Sequence, residues 1–513
     1  MPPRRIVRRA IGHGCSREDL APVMHGMPVL SILLLLPASG AALLLILPRA
    51  RVEWMRRLAV AFTSLTMLLA WGLLGLFDDS VAGAQWAEQY SWNPRLGTSF
   101  ALGVDGFSYP MVLLATLLCF IAVLASGSIR ERVRGYYLLM LGLESALLGV
   151  FMARDWSLFY VFWELTLIPL FFLIDRWGGR NRHGAALNFV LYTMGGSVFM
   201  LIALLVLFDA SSTHSFAMAD LADGAQQLPR EAQILIFFGF LIGFGVKMPI
   251  FPIHGWLPLA HVEAPGPVSI LLSGILLKMG SYGLIRAAQT LPDAVVALQS
   301  LLTALALVSL LYGGLLAWRQ TDLKAMVAYS SVSHMGVVLL GIAALNVAGL
   351  TGAVMQMVAH GLVAGALFLL VGLLYERTHT REIGHYSSLV RITPRFAFFT
   401  VLALFAAAGL PGTAGFIAEL HTLIGGFQAW GWMVVLLSLG VMISAAYAIR
   451  TVGRLFTGPV RDEMRQVEDL RAGELLAAGV LATGIVLLGV FPAGALHLVS
   501  ASVGRFNTAF LGQ

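Results

Sequence analysis

The chain has 513 residues, of which 58% are hydrophobic and 12% are charged. Soluble globular domains carry about 25% charged residues, so this composition predicts a polytopic membrane protein. The formal net charge of +6 does not indicate nucleic-acid binding, because the basic residues are scattered between apolar runs. Of the 33 Lys and Arg residues only Lys247, Lys278 and Lys324 are lysines, and the first two fall inside apolar runs.

Several classes of cofactor site find no support in the sequence. Cys15 and Cys119 form no CxxC pair and lie far from any histidine cluster, so they predict neither a metal site nor a disulfide framework. The sequence has no Walker A pattern and no strand–GxGxxG–helix unit. We therefore expect no nucleotide, flavin, iron–sulfur or metal site in this chain.

In chain order, an arginine-rich tail at 1–26 precedes the first apolar run. That run is too long for a signal peptide and long enough to span a bilayer, and we interpret the tail as a possible mis-assigned start, with initiation at Met24 or Met27. Apolar runs then predict an all-α protein of about fourteen transmembrane helices. They lie near 28–47, 56–77, 107–127, 135–153, 156–175, 185–208, 232–260, 267–290, 295–318, 323–345, 347–376, 394–425, 431–456 and 475–500.

The charges of the short loops predict an orientation. Arginines concentrate after spans 1, 3, 5, 9, 11 and 13, whereas the connections at 78–104 and 209–231 are acidic. Because cytoplasmic loops hold the excess of Lys and Arg, the arginine-rich loops are expected in the cytoplasm and both termini outside. Only the tail at 1–26 disagrees with this orientation.

Two predicted spans are unusually long, charged and interrupted by Gly and Pro. Span 7 contains Lys247 with Pro249 and Pro252, and span 12 contains Pro411 and Glu419. In transporters, interrupted helices at corresponding positions of two halves mark the transport site. We therefore divide the chain into helices 1–3 (28–127), a first five-helix repeat (135–290), a second, inverted repeat (295–456) and helix 14 (475–500).

Lys247 and Lys278 are costly at membrane depth, which makes each a candidate functional residue. A lysine can release its proton when a neighbouring carboxylate moves away, whereas an arginine stays protonated. A Glu–Lys pair with a variable gap would therefore act as a switch. The alternative is a static ion pair that ties helices together.

Glu144, Glu164 and Glu419 are predicted inside spans, where a carboxylate must meet a cation or take up a proton. For Glu144 and Glu164 the alternative role is a structural hydrogen bond. Glu419 follows the break of span 12 and looks like the exit end of a proton path. Its alternative role is to cap a half-helix N-terminus.

Four histidines complete the candidates. His334 shares a helical stripe with Ser330 and Ser333, and His360 follows Gln356 by one turn, which favours a hydrated relay over packing. His254 and His261 lie near the cytoplasmic end of span 7. They are either an entry route or supports of the broken helix.

The segments 244–269, 276–283, 103–108, 329–336 and 409–419 carry a family resemblance. The chain resembles the antiporter-like membrane subunits of proton-pumping NADH:quinone oxidoreductase, respiratory complex I, over residues 28 to 500. Within that family it is similar to the M-type chain, which carries Glu at the position of Glu419, where L-type, N-type and Mrp antiporter chains typically carry Lys.

The resemblance implies a role for each candidate. Glu164 would pair with Lys247, and Lys278 would be the central proton carrier. His334 and His360 would relay protons to Glu419 as the outward terminus, and Glu144 would link to a neighbouring subunit. It also implies a bacterial inner-membrane location, L-type and N-type chains on either side, and flavin and iron–sulfur clusters in partner subunits only.

Three other functions remain open from the sequence. An Mrp-type cation/proton antiporter subunit would need no redox partner, and Glu419 argues against it. The chain could also be the membrane subunit of an energy-converting hydrogenase. The third function is that of a scaffold whose buried charges only hold helices together.

Overall fold

A computed structural model describes residues 27–48, 51–508 and 510. The predicted tail at 1–26 lies outside the described residues. The described part of the chain begins with two helices, a two-stranded hairpin and four further helices: α1 (Val29–Ile46), α2 (Val52–Gly72), β1 (Gln85–Asn93), β2 (Thr98–Val104), α3 (Tyr109–Ala125), α4 (Val133–Met152), α5 (Trp156–Leu165) and α6 (Leu167–Trp177).

The middle of the chain is also helical. Its elements are α7 (Arg182–Ala210), α8 (Met218–Ala225), α9 (Arg230–Lys247), α10 (Trp256–Glu263), α11 (Gly266–Leu271), a π-helical turn (Leu272–Leu276), α12 (Leu277–Thr290), α13 (Pro292–Ala297) and α14 (Gln299–Arg319).

Among the described residues, the last part of the chain contains eight α-helices: α15 (Leu323–Ala343), α16 (Val347–Thr378), α17 (Leu389–Ile392), α18 (Pro394–Ala407), α19 (Ala414–Trp430), α20 (Val435–Phe456), α21 (Ala472–Val490) and α22 (Ala493–Thr508).

Within the described residues, twelve helical segments are long and apolar enough to cross a membrane. The chain is therefore a helical, multi-pass membrane protein, as its composition predicts. The two predicted spans missing from the twelve are spans 7 and 12, which the structure interrupts. The grouping of the helices into two inverted repeats remains a prediction.

Proline and glycine account for both interruptions. In span 7, α9 ends at Lys247, and Pro249 and Pro252 have no N–H to continue a helix before α10 begins at Trp256. The Trp256 indole N–H donates to the carbonyl of Val246 (2.8 Å), which satisfies one backbone group freed by the break. In span 12, Gly409 and Gly412 have φ of +72° and +89° between α18 and α19. Only glycine adopts such φ values without strain.

The structure adds detail to the sequence expectations at three places. Within the helical protein, the loop at 78–104 contains an antiparallel β-hairpin, with Tyr90 paired to Phe100. The span at 267–290 contains a π-helical turn just before Lys278. The last predicted helix, 475–500, ends at Val490, because Pro492 disfavours the α conformation at Phe491.

The helices that carry Lys278, His334 and His360 form the centre of the bundle. The segments Gly266–Thr290, Leu323–Ala343 and Val347–Thr378 are almost completely buried, whereas most residues of α1, α2, α7 and α21 remain accessible on the chain surface. Small residues permit the close central packing. A Cβ on Gly361 of α16 would lie 2.9 Å from the carbonyl oxygen of Gly274 in the π-helical turn.

Candidate functional site

Lys278 lies at the centre of the bundle and is fully buried. Its ammonium donates to the Ser273 carbonyl oxygen at 2.6 Å and contacts His360 Nδ1 at 2.7 Å. Ser273 belongs to the π-helical turn, so the irregular helix supplies a backbone acceptor to the lysine. No carboxylate of the described residues lies within 4.0 Å of Lys278.

Two histidines and a glutamine extend from Lys278. The rings of His360 and His334 have centroids 5.3 Å apart, and Gln356 Nε2 lies 3.2 Å from His334 Nδ1. The Nε2 atoms of both histidines are buried and have no hydrogen-bond partner among the described residues. Each ring therefore keeps one nitrogen available to a water or a moving proton.

A small cavity of about 10 Å³ lies between the histidines and Glu419. His334, Gln356, His360 and Glu419 all line it. This volume is at the lower limit for a single ordered water. We refer to Lys278, His360, His334, Gln356 and Glu419 as the polar line. The structure thus brings together four of the residues predicted from the sequence.

The break in span 12 makes room for Glu419. Gly409 lies at the end of α18, and a Cβ at this position would lie 2.2 Å from Glu419 Oε2. The carboxyl group of Glu419 therefore packs against Gly409 in the break of span 12.

Lys247 makes different contacts from those expected. Its ammonium donates to the Trp163 carbonyl oxygen (3.2 Å) and to the Thr166 hydroxyl (3.0 Å), and it lies 4.0 Å from the centroid of the Trp163 ring. No ion pair within 4.0 Å joins Lys247 to Glu164 in the described part of the chain, and Glu164 Oε1 is buried without a hydrogen-bond partner. Glu164 is therefore an electrostatic neighbour of Lys247 without a contact ion pair in this structure.

Glu144 lies inside the chain and is completely buried. Both carboxyl oxygens lack hydrogen-bond partners among the described residues, and the Cys119 thiol is an electrostatic neighbour. The expected link to a neighbouring subunit cannot be a direct contact in this arrangement, because Glu144 has no accessible surface.

His254 lies within the break of span 7, and His261 lies in α10 after the break. His261 is fully buried, stacks on Phe368 with centroids 4.4 Å apart, and has no hydrogen bond to either ring nitrogen within the described residues. His254 packs against Phe251 and Tyr312 with its Nδ1 also unpartnered. The contacts leave both predicted roles, entry route and support, as predictions.

The sequence reasoning missed several buried polar residues. Arg286 is buried within a predicted span, two helical turns after Lys278 on the same face, and that spacing was the available signal. Lys324 is buried and donates to the carbonyl oxygen of Ala264 at 2.7 Å. Nothing in the local sequence singles out Thr166 as a partner of Lys247, since the contact spans 81 residues.

The arrangement suits proton transfer more than ion coordination. The polar line contains an amine, two imidazoles and a carboxyl group, all of which exchange protons. In the part of the chain that the structure describes, no group of three or more His, Cys, Asp or Glu residues could hold a metal ion.

Comparisons with known proteins show the family to which this chain belongs. The family model described as NADH:quinone oxidoreductase/Mrp antiporter, transmembrane, matches residues 153–444. Subunit M of the NADH-quinone oxidoreductase of Rhodobacter capsulatus is 39% identical over 93% of this chain and 96% of its own length. Chain 4 2 of the NAD(P)H-quinone oxidoreductase of Thermosynechococcus vestitus is 41% identical over 91% of this chain and 89% of its own length.

Solved structures show the same fold. A chain of respiratory complex I from Thermus thermophilus with bound NADH has a TM-score of 0.85 and 35% identity, covering 94% of this chain and 100% of that one. A chain of the Mrp complex from a Dietzia species has a TM-score of 0.84 over 94% of this chain and 98% of its own, but at 20% identity this likeness concerns the fold alone. The protein belongs to the NADH:quinone oxidoreductase/Mrp antiporter family of membrane proteins, and its curated relatives are subunit M and chain 4 of the quinone oxidoreductases.

Proposed function

We propose that this chain is a proton-translocating membrane subunit of an NADH:quinone oxidoreductase and moves protons along the polar line. The observation that carries the proposal is the contact between Lys278 Nζ and His360 Nδ1 at 2.7 Å, continued by His334 and the cavity to Glu419. An amine and an imidazole at hydrogen-bond distance can exchange a proton directly.

The polar line assigns a step to each member. Lys278 holds the proton at the centre and passes it to His360, and His334 with Gln356 orients water in the cavity. Glu419 receives the proton at the break between α18 and α19. Because the carboxyl group lies against Gly409, a movement of the break would change its access to the cavity.

Lys247 and Glu164 would provide the switch. In the present structure the ammonium is held by the Trp163 carbonyl oxygen and the Thr166 hydroxyl, so it has partners while the carboxylate is apart. If the carboxylate approached, the charged ammonium would be favoured, and its retreat would favour proton release. A change in one pair would act on the next because charges couple strongly in a low-dielectric interior.

The energy for transport would come from partner subunits. We propose that this chain binds neither NADH nor quinone and that flavin and iron–sulfur clusters reside in partners. L-type and N-type antiporter-like chains would flank it. Since Glu144 is buried inside the chain, its coupling to a neighbour would pass through intervening groups rather than a direct contact.

The orientation follows from loop charges. We propose that the arginine-rich loops face the cytoplasm, that the β-hairpin side faces outward, and that the chain resides in a bacterial inner membrane with both termini outside. In that orientation Glu419 would serve the outward release of protons.

The first test replaces Lys278 with Met in the intact complex. The variant removes the central proton carrier but keeps an unbranched side chain, so NADH-driven proton pumping should fall by roughly tenfold or more. Pumping is measured as acidification of inverted membrane vesicles, relative to NADH oxidation in the same vesicles.

Met279→Leu is the matched control, because Met279 is the next residue on α12, equally buried and apolar. A swap of similar volume should leave pumping near the unmodified rate. Unchanged pumping by assembled Lys278→Met complex would refute the proposed role of the polar line.

A further inference from the structure

A second buried charged cluster lies outside the polar line, on the β-hairpin side. Asp105 follows β2, and its carboxylate accepts two hydrogen bonds from Arg286 Nη2, at 2.8 and 2.7 Å. Arg154 Nη2 lies 3.0 Å from the same carboxylate. Asp105 and Arg286 are almost completely buried, and Arg154 is partly buried. We call these three residues the arginine cluster.

The arginine cluster lines a partly open cavity on this side. The cavity has a volume of about 460 Å³ and is lined by the hairpin, by Arg154 and Arg286, and by Ser502 and Arg505 of α22. Water can therefore reach the cluster from the hairpin side.

The arginine cluster is also connected to Lys278 along one face of α12. Lys278, Tyr282 and Arg286 follow one another at intervals of four residues, which places them on one helical stripe. Arg286 Nε donates to the Tyr282 hydroxyl at 3.0 Å, and Tyr282 in turn donates to the Phe151 carbonyl oxygen at 3.3 Å. About 12 Å of helix, at 1.5 Å per residue, separates the lysine from the arginine.

We propose that Asp105, Arg154 and Arg286 form an electrostatic barrier that keeps protons in the hairpin-side cavity from reaching Lys278. This inference rests on the proposed function, because it takes Lys278 as a proton carrier and the hairpin side as the side that receives pumped protons. Without a barrier, the protons delivered outward through Glu419 could return to Lys278 from this cavity.

The chemistry of the arginine cluster fits a barrier and not a relay. A guanidinium stays protonated, so neither arginine can accept and pass on a proton. One carboxylate with two guanidinium groups leaves one net positive charge, which repels hydronium, as arginines in selective pores do. Burial favours the neutral carboxyl, but Arg154 and Arg286 together outweigh it and hold the pKa of Asp105 below its usual range. Asp105 therefore takes up no proton at physiological pH.

A purely structural role is the alternative. Asp105 Oδ1 also accepts from the backbone N–H groups of Phe107 and Ser108, both at 3.1 Å, at the start of α3. Loss of the carboxylate would therefore disturb the fold as well as the charge. The arginines are therefore the better residues to replace, because their replacement keeps the hydrogen bonds from the Phe107 and Ser108 backbone N–H groups to Asp105.

The experiment measures passive proton leak in vesicles that contain the intact complex. A pH gradient is imposed by a rapid change of the external pH without NADH, so that its size does not depend on pumping, and its decay is followed. Arg286→Gln should increase the decay rate by roughly tenfold, as expected for a modest lowering of a barrier. Arg286→Lys keeps a cation at this position, so its decay rate should be close to that of the unmodified complex.

Two further variants keep the test decisive. Arg505→Gln changes an exposed arginine on the same cavity, outside the cluster, and should leave the leak at the unmodified rate. Arg154→Gln, at the partly buried position, should raise the leak less than Arg286→Gln does, and it replaces Arg286→Gln if that complex fails to assemble.

The route of the leak is tested with Lys278→Met in the Arg286→Gln background, where the leak should fall back. The proposed barrier would be refuted if the assembled Arg286→Gln complex leaked at the rate of the unmodified complex. It would also be refuted if Lys278→Met did not reduce the leak of Arg286→Gln. The proposed function is judged separately, by active pumping in Lys278→Met alone, so the two failures are distinguishable.

Discussion

Gly409 shows how one residue can determine the position of a candidate proton carrier. Its φ of +72° lies in the region that residues with a Cβ avoid, and the missing Cβ leaves room for the carboxyl group of Glu419. The Glu419 end of the polar line is therefore built jointly by a backbone conformation and a side chain.

We expect Gly409→Ala to damage both stability and transport. The left-handed conformation costs an L-residue about 1–2 kcal/mol. The new Cβ would also displace the carboxyl group of Glu419. The complex should lose activity at a lower temperature, and pumping per NADH oxidised should fall by severalfold.

Gly453→Ala is the control for Gly409→Ala. Gly453 lies within α20, and its added Cβ would meet nothing within 4 Å. Alanine in a helix is favoured over glycine by about 0.5–1 kcal/mol, so this variant should be at least as stable as the unmodified chain. Equal thermal stability and pumping in the two variants would contradict the assigned role of Gly409.

At the scale of elements, the contact of α9 with α12 sets the spacing between the two intramembrane lysines. Gly280 lies two residues after Lys278, where a Cβ would approach the Phe244 carbonyl oxygen at 2.6 Å and the Met248 backbone nitrogen at 2.7 Å. Both of these atoms belong to the backbone around the end of α9, so neither can rotate away.

Gly280→Ala should therefore force α9 and α12 apart. Overpacking of this kind costs about 1–3 kcal/mol, and the shift would alter the position of Lys247 relative to Lys278. Thermal inactivation of the complex should occur at a lower temperature, and pumping should decrease. Gly184→Ala on α7, where an added Cβ meets nothing within 4 Å, is the matched control. Normal pumping and stability in Gly280→Ala would show that the spacing is not critical.

Sequence patterns predicted some elements better than others. The breaks of spans 7 and 12 were predictable, because Pro249, Pro252 and Pro411 cannot donate a helical hydrogen bond. The π-helical turn before Lys278 was not, because its residues are ordinary apolar and small residues and the irregularity is imposed by packing. The hairpin was hidden in a loop with little apolar alternation.

Across the whole molecule, Asp105 joins parts of the chain that are distant in sequence. Its carboxylate links the end of β2 with Arg286 of α12, 181 residues later, and with Arg154 before α5. Removal of one partner from a buried ion pair typically costs 3–5 kcal/mol, so Asp105→Asn should strongly destabilise the complex.

The destabilisation by Asp105→Asn should depend on pH in a specific direction. Because the pKa of Asp105 is lowered in the folded chain, its stabilisation is fully present above the unfolded carboxyl pKa of about 4 and is lost as pH falls through the lowered value. The stability difference between Asp105→Asn and the unmodified chain should thus be constant from about pH 5 to 9 and shrink below about pH 4.

Thermal inactivation at a series of pH values checks this expectation. Asp79→Asn is the control, because it also removes one carboxyl group between α2 and α3 but at an exposed position. A stability difference that grows as the pH falls from 5 to 3 would contradict the assigned charge of Asp105.

The sequence by itself determined the class of protein, the approximate spans, the two broken helices and most of the polar line. Composition and apolar length decide these features, since a bilayer requires long apolar helices and makes buried charges conspicuous. Lys247, Lys278, His334, His360 and Glu419 could therefore be singled out before any contact was known.

Only the tertiary structure decided which of these residues meet. Lys278 contacts His360, 82 residues away, whereas Lys247 is held by Trp163 and Thr166 and makes no contact ion pair with Glu164 among the described residues. Helical periodicity gives the face on which a side chain lies, but not the helix that packs against that face. The partners depend on close packing at small residues such as Gly280, where fractions of an ångström determine the distance between helices.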